Sequence, residues 1–115
     1  MNVGRGATIF GCAETGLSAS ERAFYRGADP FGFILFARNI DTPDQVLRLT
    51  TDLRDAVGRN APVLVDQEGG RVQRLRGPHW QEWDPPLDTV ERAGSPAAAA
   101  RAMRLRMAVI GAELR

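Results

Sequence analysis

No lysine occurs among the 115 residues; every one of the 15 basic side chains is arginine. That excludes a lysine Schiff base and a lysine ammonium placed on a phosphate. There is one cysteine, Cys12, so no internal disulfide can form, and a reducing compartment, the cytoplasm, fits. The single histidine, His79, excludes a multi-histidine metal site within one chain. No metal and no cofactor is expected. No apolar run reaches the ~18 residues of a membrane span, and the N-terminus lacks the apolar stretch of a signal peptide; no membrane partner is expected. Neither sign of charge dominates, with 15 basic against 14 acidic groups and a net charge of +1. The arginines are scattered, offset by acids and not interleaved with aromatics, so no nucleic-acid partner is expected.

What is present is ordinary for a folded domain: 43% hydrophobic and 25% charged residues. The length allows one domain, residues 1–115. Ala7 to Ala13 reads as a short apolar strand. Ser18 and Glu21 form a capping-box pair that opens a helix with Ala23 and Phe24 inward, and Asp29-Pro30 ends it. The run Phe31 to Ala37 is continuously apolar, which predicts a strand buried on both faces, as in parallel sheets. Thr42-Pro43-Asp44-Gln45 opens a second helix, Val46, Leu49, Leu53 and Val57 share its inner face, and Gly58 stops it. Pro62 to Val65 reads as a third strand ending abruptly at Asp66. Gln67 to Arg71 reads as a loop, and residues 77–94 as a long loop with one helical turn near Leu87–Val90. Ser95-Pro96 opens a last helix with Met103, Met107, Ile110 and Leu114 on one face.

Strands alternating with helices imply an α/β fold with a parallel sheet. Three buried-type strands make a poor independent sheet. The pattern is therefore expected to be the opening part of something larger, such as a barrel; a complete small three-layer domain is the alternative. An open sheet edge and uncovered apolar surface would predict self-association.

In parallel α/β folds ligands bind at the carboxyl ends of the strands. Three places qualify: Cys12 to Thr15, Arg38-Asn39, and Asp66 to Arg76. The last is the richest. Asp66 puts a carboxylate at the sheet mouth, Gly69-Gly70 allows a sharp turn, and Arg71, Arg74 and Arg76 follow. Carboxylate and guanidinium together suit a polyhydroxylated ligand, one accepting and the other donating charge-assisted hydrogen bonds. The same residues could equally form a structural network of Asp66 and Glu68 with the arginines. Trp80 and Trp83 read either as sugar-stacking faces or as anchors of the loop. His79 lacks an obvious orienting partner. Cys12 reads as a small buried hydrophobe, and Glu14 with Arg38 as a buried pair.

The run Asp66-Gln67-Glu68-Gly69-Gly70-Arg71-Val72-Gln73-Arg74-Leu75-Arg76 resembles family 3 glycoside hydrolases, specifically bacterial β-N-acetylhexosaminidases of peptidoglycan recycling. Gly32 to Asn39 is similar to that family's second strand, and Thr42 to Gln45 to the start of its following helix. The resemblance implies the N-terminal three βα units of a TIM-type (β/α) barrel, incomplete, since a full barrel takes roughly 250 residues. It implies a retaining hydrolase that releases terminal β-linked N-acetylglucosamine from muropeptides. It places Asp66 and Arg74 on hydroxyls of the terminal sugar. The family's nucleophilic Asp, its acid/base His and a Lys-His pair all lie later than these segments. No catalytic residue is therefore expected in this chain, which is expected to be inactive alone. The alternative is a non-catalytic, degenerate barrel fragment acting as a sugar-binding or association module.

Overall fold

A computed structural model describes residues 2–115. The chain divides into two compact units, one running to Asp66 and the other spanning Gln67–Arg115.

The first unit is β1 (Gly6–Phe10), α1 (Ala19–Ala28), β2 (Pro30–Leu35), α2 (Pro43–Val57) and β3 (Val63–Val65). The strands form one sheet in the order β1-β2-β3, both pairings parallel. Phe10 lies beside Phe33 in the first pairing, and Phe33 beside Val63 in the second. Both helices begin where the sequence predicts, although Gln45, expected to complete a capping box with Thr42, takes the Asp41 amide instead. Ser18 caps α1, accepting from the Glu21 amide at 3.1 Å while Glu21 reaches back to the Ser18 amide. Thr42 caps α2, with Pro43 in its first turn, where a missing N–H costs nothing. Asp29 closes α1 in the left-handed region, at φ 44, a conformation that short polar residues tolerate. Gly58 closes α2 in the same way.

The core follows the expected periodicity in β2 and α2 but not in α1, where the expected inward residues Ala23 and Phe24 are exposed and Tyr25 is buried in their place. Phe33 and Leu35 from β2 meet Tyr25 of α1 and Leu49, Leu53 and Ala56 of α2, with Cys12 and Ala61 at the margins. Phe33 packs edge-on to Tyr25, with ring centroids 5.1 Å apart. Full burial of a side chain such as Phe33, Leu49 or Leu53 is worth about 1.5–3 kcal/mol. Burial on both faces holds for most of the central strand, but Phe31 at its start is exposed, as are Ile9 of β1 and Leu64 of β3. The edge strands have fewer neighbours to cover them.

The second unit departs further from expectation. Where a loop is predicted after Asp66, β4 (Gln67–Gly69) and β5 (Val72–Gln73) form an antiparallel hairpin. Its polar composition hides it from any search for apolar alternation. The helical turn expected near Leu87–Val90 is a full helix, α3 (Pro86–Arg92), packed against α4 (Pro96–Glu113). Ser95 caps α4 as its motif predicts. The buried face of α4 is Ala99, Arg106 and Ile110, while Met107 and Leu114 are exposed. Apolar residues surround this helix on every side, so their spacing does not single out a face; the polar partners of Arg106 do.

Candidate active-site rim

The carboxyl ends of the parallel strands are tied together by Arg38 and Asn39, at one of the three places the sequence singles out, and by Gln45, whose part in this network the sequence does not show. Asn39, fully buried just past β2, donates from Nδ2 to the Cys12 carbonyl at 3.0 Å and the Glu14 carbonyl at 2.9 Å, and its Oδ1 accepts from the Phe36 amide. Gln45 extends the lattice from α2. Its Nε2 donates to the carbonyls of Thr15 and Asn39, and its Oε1 accepts from the Asp41 amide. Arg38 donates from Nε to the same Cys12 carbonyl at 3.1 Å, with its guanidinium carbon 4.9 Å from the Phe36 ring centroid. The Tyr25 hydroxyl donates to the Gly11 carbonyl at 2.7 Å. The carbonyls of Gly11, Cys12, Glu14 and Thr15 thus each meet a side-chain donor, as buried backbone requires.

Electrostatics follow from burial. The Cys12 thiol is pushed up, first by burial and then by the Glu21 carboxylate, which makes it a packing group rather than a nucleophile. The Tyr25 hydroxyl is pushed up to about 12, again by burial first and Glu21 second. Burial pulls Glu21 upward too, but hydrogen bonds from the Ala13 amide and from Ser18 outweigh it and leave this carboxyl below its ordinary range.

Asp66 follows β3 directly and is half-buried at the end of the first unit. Within the second unit, two buried glutamines build the arginine-bearing hairpin. Gln67 accepts at Oε1 from the amides of Arg74 and Leu75 and donates to the Leu75 carbonyl. Gln73 donates to the carbonyls of Leu75 and Gln81 and accepts from the Trp83 amide. Arg74 is half-buried, Arg71 exposed, and Arg76 bridges Glu82 at 2.9 Å and the Gly70 carbonyl at 2.5 Å.

No family model matches the chain. A beta-hexosaminidase of Xanthomonas oryzae pv. oryzae (strain MAFF 311018) is 44% identical over 68 residues, which is 59% of this chain and 20% of that protein. A beta-hexosaminidase of Pseudomonas aeruginosa (strain LESB58) is 43% identical over 72 residues, 63% of this chain and 21% of that protein. Among solved structures, NagZ from Neisseria gonorrhoeae, crystallised with a zinc ion, matches with a TM-score of 0.73 at 26% identity, over 87% of this chain and 29% of that one. Crystals of the same protein with N-trifluoroacetyl-D-glucosamine give a TM-score of 0.71. This chain is a relative of the bacterial beta-hexosaminidases. It spans about a fifth of the length of the curated relatives it matches.

In this beta-hexosaminidase relative the other expected residues fall as follows. Glu14 and Arg38 do not form the expected buried pair: both are exposed. It is the Glu14 carbonyl, through Asn39, and the Arg38 Nε, through Cys12, that are engaged. Backbone carbonyls closer at hand outcompete a carboxylate that solvent can hydrate. His79 is exposed and lies edge-on to Trp80, with centroids 5.8 Å apart. Trp83 is half-buried: its backbone amide donates to Gln73, and the Arg106 guanidinium lies 5.4 Å from its ring centroid. Among the described residues no group of three or more His, Cys, Asp or Glu is placed to hold a metal ion. Among the described residues no helix is long and apolar enough to cross a membrane.

Proposed function

We propose that this chain supplies part of the terminal-sugar subsite of a retaining β-N-acetylhexosaminidase of glycoside hydrolase family 3, acting in the cytoplasm on N-acetylglucosamine-containing peptidoglycan fragments. The observation that carries the reading is the position of the Asp66–Arg76 run. It opens at the carboxyl end of a parallel strand, where α/β folds bind ligands, in a chain related to beta-hexosaminidases. Asp66 accepts from sugar hydroxyls and Arg74 donates to them. The βα units of residues 1–115 are the first three of a (β/α) barrel. The acid/base histidine that the resemblance calls for has no counterpart here, since His79 sits in the wrong segment, and the sugar-holding Lys-His pair has none because lysine is absent; the nucleophilic Asp belongs to a later strand of the family's barrel. The chain alone binds without cleaving.

That same lack of bond-breaking groups favours a second reading, a non-catalytic sugar-binding or association module. Exposed Ile9, Phe31 and Leu64 then serve self-association or docking on another chain. Adding the chain to an aryl β-N-acetylglucosaminide tests the first point. No release above background is expected, and turnover would overturn the inactivity. Size-exclusion chromatography addresses the second: a concentration-dependent shift to dimers or higher forms supports association, and a monomer at all concentrations contradicts it.

A further inference from the structure

We infer that Arg106 is a positioning residue for the Arg74 hairpin: from α4 it fixes the Gly69–Gly70 turn and so the presentation of the arginine assigned to the sugar. The functional meaning rests on the proposed sugar-binding role of Arg74; the geometry does not. Arg106 is 6% exposed, and its acceptors are neutral. Nη1 donates to Thr89 Oγ1 at 2.9 Å, and Nη2 donates to the Glu68 carbonyl at 2.6 Å and to the Asp84 carbonyl. Packing alone does not call for a guanidinium here. An apolar side chain of similar volume would fill the space without desolvating a charge. What the guanidinium adds is a grip that joins β4 to the segment entering α3.

The turn it grips is closed from several sides. Gly69 has φ +112, and a Cβ there would collide with Arg106 Nη2 and the Asp84 carbonyl. The Gly70 amide donates to the Trp83 carbonyl at 2.7 Å, and Arg76 donates to the Gly70 carbonyl. Gln67 pairs with Gln73 and Gly69 with Val72 across the hairpin, and Arg74 follows β5 directly. A shift at Glu68 or Gly69 is therefore passed along the ladder to Arg74.

The test is amide exchange and side-chain NMR on the whole chain. The Gly70 amide and the Arg74 Nε–H signal are the readouts, and the amides of β1 to β3 are the internal control. Arg106→Met is expected to speed Gly70 exchange by about tenfold or more, the worth of a lost charge-assisted hydrogen bond. It should also shift the Arg74 signal while leaving the control unchanged. Arg106→Lys, which keeps donors for the two carbonyls, is expected to fall between Arg106→Met and the native chain. Native values for both readouts in Arg106→Met would overturn the inference, as would a lysine variant no better than methionine. Should Arg106→Met fail to fold, Arg106→Lys decides: a partial effect on both readouts supports the role, and native values contradict it. If the native chain binds no N-acetyl-D-glucosamine yet both readouts move as described, the sugar reading fails and the positioning role stands.

Discussion

The side-chain amide of Asn39 donates to the carbonyl of Cys12 at 3.0 Å, joining the ends of two parallel strands across 27 residues of sequence. The same amide reaches the Glu14 carbonyl, and its oxygen takes the Phe36 amide. Replacing Asn39 by alanine strands the Glu14 carbonyl and the Phe36 amide and leaves the Cys12 carbonyl to Arg38 alone. The expected loss is about 3 kcal/mol, since each orphaned buried group costs about 1–3 kcal/mol. Urea unfolding of the native chain and of Asn39→Ala checks it; a change within experimental error would remove Asn39 from the account of the rim.

Tyr25 is the only tyrosine, so its ionisation can be followed by ultraviolet absorbance without overlap. Burial and the Glu21 carboxylate hold its hydroxyl protonated, with titration pushed up to about 12 from the ordinary 10. Because the folded value is raised, the contribution to stability is whole below the unfolded value. It is lost as pH rises from 10 toward 12. Titration of the folded chain should show a midpoint well above that of the chain in denaturant. Equal midpoints would mean that Tyr25 is not sealed against Phe33 and the Gly11 carbonyl.

Gln67 serves the hairpin as Asn39 serves the sheet. Its side chain satisfies the amides of Arg74 and Leu75 and the Leu75 carbonyl. Gln67→Leu keeps the volume and removes the partners, so the second unit should lose about 2–3 kcal/mol. The Arg74 amide should exchange faster. An exchange rate equal to the native one would show that the hairpin is held by other contacts.

Much of the first unit is legible in the sequence because its signals are local. Ser18 with Glu21, Thr42 with Pro43, and Gly58 each mark a helix end by chemistry that acts within one turn. The apolar run from Phe31 marks the central strand because burial on two faces leaves no alternation. The candidate site is legible only as residue types. Asp66 and Arg74 stand out as charge beside glycine, and Asn39 by its place after a strand; the partners of Asn39, Gln45 and Gln73 are not legible, since an uncharged amide in a sequence gives no hint of the carbonyl it will meet. The hairpin after Asp66 escapes for the same reason: side-chain amides rather than apolar alternation hold it. In α4, apolar residues on all sides leave the choice of face to Arg106, whose partners lie 17 to 38 residues away.

The central claim is that Asp66 and Arg74 hold a sugar, and a titration of the isotopically labelled chain with N-acetyl-D-glucosamine tests it most directly. Two charge-assisted contacts predict weak, saturable binding, with a dissociation constant on the order of 1–10 mM. Shifts should be confined to Asp66 and the Gly69–Arg74 segment, and both Asp66→Ala and Arg74→Ala should abolish them while remaining folded. Saturable binding that survives both substitutions, or no shift in the native chain across that concentration range, would contradict the account.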